Sequence, residues 1–243
     1  MSQESMLVAL STAGPVIGSA IGVWKKPTEF YINSMLYFAA GIMMSISFLD
    51  LIPESIHLGS TVTCLVGLMA GALLMGAIDR VFPHVHECAA CNEEVCHLGR
   101  TANFLILAIF LHNFPEGMAI ALGSATDIGN SLVIALGIAI HNIPEGVCAS
   151  APHYFIFGNR MKSFVLSSVS ALPIAIGYVF ARYIVEQIST STMSVLVGST
   201  AGLMIYISVN ELMPASRGYK KGHFVTAFAG GFMSVLLLGL IAR

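Results

Sequence analysis

Along the chain, apolar runs of about 20 residues alternate with short polar breaks eight times, at 5–23, 33–56, 61–82, 101–124, 128–151, 162–184, 193–215 and 222–242. A helix of about 20 apolar residues crosses roughly 30 Å of hydrocarbon. The pattern therefore predicts an all-α integral membrane protein of eight transmembrane helices. No linker or low-complexity tract interrupts the series, which predicts a single transmembrane domain over 1–243. The opening Met1-Ser2-Gln3-Glu4 is acidic rather than basic, so the first run reads as a retained span and not as a cleaved signal peptide.

Charge sets the orientation. Lys25, Lys26, Arg80, Arg100, Arg160, Lys162, Arg217, Lys220 and Lys221 all fall in odd-numbered connections, against Arg182 and Arg243 on the other side. Because Lys and Arg concentrate in cytoplasmic loops, both termini are expected to be extracellular and the 83–100 connection cytoplasmic. Composition agrees, with 56% hydrophobic and 10% charged residues and a mean hydropathy of +0.82, whereas soluble domains carry about 25% charged residues. A net charge of −2 offers no basis for a nucleic-acid partner, and the bilayer and a small ion remain. No Asn-x-Ser/Thr acceptor occurs, which fits a bacterial cell membrane, the inner one.

Two segments repeat. Gly41-Ile-Met-Met-Ser-Ile-Ser-Phe-Leu-Asp50-Leu-Ile-Pro53-Glu-Ser55 aligns with Gly202-Leu-Met-Ile-Tyr-Ile-Ser-Val-Asn-Glu211-Leu-Met-Pro214-Ala-Ser216, with seven of fifteen positions identical. The two spans run in opposite directions through the membrane, so the repeat is inverted, and transporters build sites at the interface of such repeats. Asp50 is expected near the outer face and Glu211 near the inner face, as vestibule acids. Glu54 and His57 extend the outer end of span 2, either attracting cations or forming a solvated helix end.

The chemistry lies in spans 4 and 5, which carry His112-Asn113-Phe114-Pro115-Glu116-Gly117 and His141-Asn142-Ile143-Pro144-Glu145-Gly146. Residues i and i+4 share a helix face, so each motif sets a histidine beside a carboxylate. Each histidine lies about 14 residues, on the order of 21 Å, from the turn between the spans. Antiparallel helices then hold both motifs at one depth near the bilayer centre. A charged side chain there costs on the order of 3 kcal/mol on insertion scales, and a divalent cation offsets that cost. Imidazole nitrogen with carboxylate oxygen suits zinc, and also iron, manganese and cadmium, better than an all-oxygen calcium cage. Pro115 and Pro144 release the carbonyls of Leu111 and Ile140 from helix bonding, an arrangement tolerated beside an ion path.

The doubled motif, the eight spans, the exterior termini and the His-bearing connection after span 3 resemble the ZIP family of zinc and iron permeases over essentially the whole chain. The resemblance implies a three-two-three helix arrangement and metal moved into the cytoplasm by alternating access. It implies His112, Glu116, His141 and Glu145 as metal ligands, with Asn113 and Asn142 at an adjacent second position. Asp50 and Glu211 then stand for the family's entrance and exit acids, with zinc as substrate and no prosthetic group. Many prokaryotic members carry a Glu before a Pro on span 6. Here Leu172 precedes Pro173, with Ser167, Ser168 and Ser170 nearby, so a one-ion centre is expected.

The 83–100 connection holds His84, His86, Cys88, Cys91, Cys96 and His97, with spacings like those of zinc sites. It reads as a cytoplasmic loop that captures or senses released metal, its thiols kept reduced. Cys64 and Cys148 read as core residues, and His153 and His223 as interfacial rather than ligating. Gly67-Leu-Met-Ala70-Gly71 suits helix packing within or between subunits, which leaves a homodimer open. Two other functions compete. An intramembrane metal-dependent hydrolase needs an open coordination position and a general base outside the ligand set, and neither motif supplies a spare acid. A metal sensor that binds without transport differs only in what crosses a sealed membrane.

Overall fold

The computed structural model describes residues 3–81, 93–126, 128–184, 189–215 and 221–241, and these are helical with no strand. The helices are α1 (Gln3–Gly22), α2 (Glu29–Ile46, continued by Ser47–Leu51 and Ile52–Leu58), α3 (Thr61–Val81), α4 (Glu93–Thr126) and α5 (Ile128–Phe157). After these come α6a (Arg160–Val169), α6b (Leu172–Ile184), α7 (Thr190–Ile207, continued by Ser208–Leu212 and Met213–Ala215) and α8 (Lys221–Ile241). Among the described residues six helices are long and apolar enough to cross a membrane, and α8 adds a shorter apolar stretch, Phe224–Leu237.

The expected starts at 33, 162 and 193 move two to four residues outward, to the polar caps that set them. Thr28 caps α2, Asn159 caps α6a and Ser189 caps α7, each accepting a backbone N–H three residues on, as N-caps do. Two other boundaries move further. The start of α4 is Glu93 rather than 101, so Cys96 and His97 belong to a helix and not to a loop. Hydropathy marks only the hydrocarbon-crossing part, and Glu93 and Glu94 favour a helix start beyond it through the macrodipole. In turn α5 runs on through Pro144 and Pro152 to Phe157 and stops at Gly158, whose φ of 67° is the left-handed conformation of a helix C-terminus. His84, His86, Cys88 and Cys91 lie outside the described residues.

Without a hydrophobic drive inside lipid, helices associate by close backbone packing, and glycines place it. Gly18 of α1 meets the backbone oxygen of Ile143 in α5, and Gly146 of α5 meets that of Pro15. In the same way Gly177 of α6b meets the Phe114 oxygen in α4, and Gly117 of α4 meets that of Ile174. The remaining pairs repeat the device. Gly41 and Gly231 join α2 to α8 at the Phe228 and Phe38 oxygens, while Gly202 and Gly71 join α7 to α3 at the Leu68 and Ser199 oxygens. Exchanging the first three helices with the last three, and α4 with α5, carries each approach onto another. Gly67 and Gly71, open to a role between subunits on sequence, are both used inside the chain against α7, so nothing here supports a homodimer.

The repeated acid-x-x-Pro segments also share a conformation. Ser47–Leu51 and Ser208–Leu212 are both π-helical turns. The N–H of Ile52 bonds the Ser47 oxygen, and that of Met213 bonds the Ser208 oxygen. Pro53 and Pro214 cannot donate to the α-helical ladder, and the wide turn absorbs the loss. The Ser47 hydroxyl donates to the Met43 oxygen at 2.7 Å and the Ser208 hydroxyl to the Met204 oxygen at 2.8 Å.

Candidate metal centre

The two motif helices cross so that the pairing is between helices rather than along them. His112 Nε2 lies 2.8 Å from Glu145 Oε2, and His141 Nε2 lies 2.9 Å from Glu116 Oε1. One contact runs along a helix, His112 Nδ1 to Glu116 Oε1 at 3.3 Å. The four side chains thus form one linked set, Glu145–His112–Glu116–His141. The cause is the symmetry of the motifs: antiparallel helices with equal spacing from their turn bring each histidine level with the other helix's carboxylate.

The asparagines complete the set. Asn142 Nδ2 donates to Glu116 Oε2 at 2.9 Å, and Asn113 Nδ2 donates to the Ser170 carbonyl at 2.6 Å. That carbonyl is available because α6 breaks between Val169 and Leu172, and the N–H of Ile174, four residues on, bonds the Ala171 oxygen at 3.2 Å instead. Sequence reasoning missed this contact. Pro173 signals a break in the helix, but the i−4 rule points to the Val169 carbonyl, so neither Ser170 as the acceptor nor its partner across the bundle was legible.

His112, Asn113, Asn142 and Glu145 are buried, whereas the side chains of Glu116 and His141 are 10% and 17% exposed. Three buried oxygens, Asn113 Oδ1, Asn142 Oδ1 and Glu145 Oε1, have no hydrogen-bond donor, and neither has the Ser168 hydroxyl a partner. Buried acceptors are nearly always satisfied, so acceptor oxygens in excess of donors mark a place that suits a positive charge. Among the described residues no group of three or more His, Cys, Asp or Glu stands arranged to hold a metal as it is. The four side chains are closed on one another instead, and a cation has to replace their mutual hydrogen bonds.

The other sequence candidates divide. Asp50 and Glu211 sit in the two π-helical turns, at equivalent positions, but Asp50 is exposed and Glu211 is buried. Glu54 and His57 are exposed at the end of α2. Cys64 and Cys148 are buried, and Cys148 donates to the Met35 oxygen at 3.1 Å. His153 is buried too, with Nδ1 2.7 Å from the Ser163 hydroxyl. Leu172 needs a correction. It is 55% exposed on the outward face of α6b, so the residue before Pro173 does not face the centre, and its identity says little about a second ion. The α6 residues shown against the motif segments are Ser167, whose hydroxyl donates to the Gly146 oxygen at 3.3 Å, Ser170 and Ile174, none of them a carboxylate.

Comparison with known proteins places these residues in a family context. Residues 83–242 match the family described as ZIP Zinc transporter. The chain is 35% identical over 225 residues to "Zinc transporter ZupT" of Escherichia coli O127:H6 (strain E2348/69 / EPEC), covering 89% of this chain and 88% of the relative. The proteins of the same description from Escherichia coli strain K12 / DH10B and from O157:H7 (strain EC4115 / EHEC) match at the same identity and coverage.

Proposed function

The chain belongs to the ZIP zinc transporter family, and from that premise we propose that it carries zinc through a centre formed by His112, Glu116, His141 and Glu145. It is a divalent-metal transporter of the cell membrane, and the family assigns transport rather than catalysis. The observation that carries the site assignment is the linked His/Glu set with buried acceptor oxygens lacking donors. A cation entering between α4 and α5 takes the carboxylates from the imidazoles, and Asn113 and Asn142 offer further oxygens beside it.

Eight spans in a three-two-three arrangement with extracellular termini fit the packing. The glycine approaches of α1–α3 repeat in α6–α8, with α4 and α5 as the central pair, and the basic residues favour that orientation. The inverted repeat supports alternating access. Its two π-helical turns differ in exposure, with Asp50 open and Glu211 closed off, which suits an entrance and an exit acid that open in turn. The direction is inward, and iron, manganese and cadmium are secondary substrates, since mixed nitrogen and oxygen ligands accept several divalent ions. Cys96 and His97, at the start of α4, and His84, His86, Cys88 and Cys91 before it are a candidate receiving site on the cytoplasmic side.

Transport itself is tested with purified protein in liposomes loaded with a zinc-sensitive dye. The expected result is a dye response that depends on the protein. If the protein binds zinc in detergent yet passes none, the sensor reading replaces this one. Two further outcomes are expected of the centre. With no carboxylate from α6, zinc binds at one ion per centre, and anomalous scattering that finds two well-occupied ions within about 4–5 Å, near the spacing of paired-metal sites, overturns the one-ion reading. Imidazole and carboxylate must be deprotonated to hold a metal, so protons compete with zinc and affinity falls as pH falls. Calorimetry from pH 8 to 5 should show binding weaken below about pH 6, near the ordinary imidazole value, and a flat profile contradicts ligation by histidine.

A further inference from the structure

The membrane-facing side of the α3–α7 pair carries two adjoining cavities of about 390 and 370 Å³ that share Ala72 and Tyr206. Close backbone packing at Gly71 and Gly202 leaves a furrow between the helices, walled by exposed Met69 on α3 and Val209 on α7. The furrow passes Gly76, against which the Tyr206 ring lies, and ends at Asp79 and Arg80. Tyr206 donates its hydroxyl to Asp79 Oδ2 at 3.1 Å, and Arg80 is exposed. From Leu68 to Arg80 the furrow follows α3 for about 18 Å at 1.5 Å per residue, close to half of a hydrocarbon core of roughly 30 Å. It therefore spans one leaflet, with a pair of opposite charges at the headgroup level.

We propose that this furrow is a binding site for one phospholipid of the cytoplasmic leaflet, whose phosphate sits on Arg80 and whose primary ammonium sits on Asp79. The charge pair selects the headgroup. An ionised carboxylate offers about four acceptor positions, and an ammonium donates to one of them. A quaternary choline has no N–H to give, and an anionic glycerol headgroup places net negative charge beside Asp79. A helix from a second copy would lie along the whole span of α3, whereas the furrow reaches only from Leu68 to Arg80. The lipid bears on Val209 and Asn210, which belong to the π-helical turn Ser208–Leu212 that carries Glu211. The proposal rests on the membrane reading and the orientation, not on the metal centre.

The test uses purified wild-type protein, delipidated in mild detergent and offered an equimolar mixture of phosphatidylethanolamine, phosphatidylcholine and phosphatidylglycerol with identical chains. Native mass spectrometry, without metal, reads what is retained. One phosphatidylethanolamine per chain, favoured at least fivefold over the other two, is expected. Arg80→Gln, an exposed change, should abolish the preference, and Ala72→Phe, which fills the furrow, should lose the lipid from a protein that stays monodisperse. Equal retention of the three lipids, a preference unchanged in Arg80→Gln, or a dimer that binds no lipid overturns the proposal. Because no zinc enters the assay, its failure is separate from any failure of the transport reading.

Discussion

Glu145→Gln is expected to lower zinc uptake into dye-loaded liposomes at least a hundredfold, with His112→Ala lowering it as much. Glu145 is fully buried, with Oε2 2.8 Å from His112 Nε2 and Oε1 without a donor. If it served only to orient His112, the glutamine amide oxygen would still accept from the imidazole, and uptake would stay near wild type. If it is a ligand, the substitution removes one of two anionic charges from the centre. A hundredfold loss corresponds to about 3 kcal/mol, a reasonable share for one carboxylate on a divalent ion away from water. The same change relieves the cost of an ionised group at the bilayer centre, on the order of 3 kcal/mol on insertion scales. The variant should therefore fold and insert at least as well as wild type, which separates lost transport from lost protein. Wild-type uptake by Glu145→Gln would remove the carboxylate from the ligand set.

The second large effect is on the fold. Gly117→Val is expected to leave little monodisperse protein after detergent extraction, because its Cβ would occupy the space of the Ile174 backbone oxygen. Gly177→Val should do the same at the reciprocal contact with Phe114. Overpacking a core typically costs 1–3 kcal/mol, roughly, when side chains can shift, and here the obstacle is a helix backbone, which shifts only by separating α4 from α6b. Gly137 is the control, since a Cβ there meets nothing within 4 Å, and Gly137→Ala should behave as wild type. Thermal unfolding followed by size-exclusion chromatography reads all three. Equal stability of the Gly117 and Gly137 variants would show that the close approach does not hold the helices together.

Much of this was legible because the membrane simplifies the code. A span must be long and apolar, and a titratable group inside it must have a partner, so the paired motifs stood out against a chain with only 10% charged residues. The equal spacing of His112 and His141 from their common turn placed them at one depth, and the crossed hydrogen bonds accord with that. The repeat of acid-x-x-Pro anticipated matching local structure, and both segments adopt π-helical turns. Less visible was the start of α4, because a helix outside hydrocarbon is written in caps and dipole rather than in hydropathy.

The sequence by itself determined the helical class, the helix order, the common level of the four His and Glu side chains of the paired motifs and the equivalence of Asp50 with Glu211, since each depends on distance along the chain. Rotation about the helix axis it did not determine. Helices apolar on most sides carry no periodic signal of which face meets a neighbour, and that choice is made by backbone contacts such as Gly117 on Ile174. Tertiary packing therefore decided that Glu145 pairs with His112 rather than with its own helix's His141, that Ser170 offers its carbonyl to Asn113, and that Leu172 faces outward. It also decided that Glu211 is buried while its counterpart Asp50 is exposed, a difference that equivalent positions in the repeat do not carry.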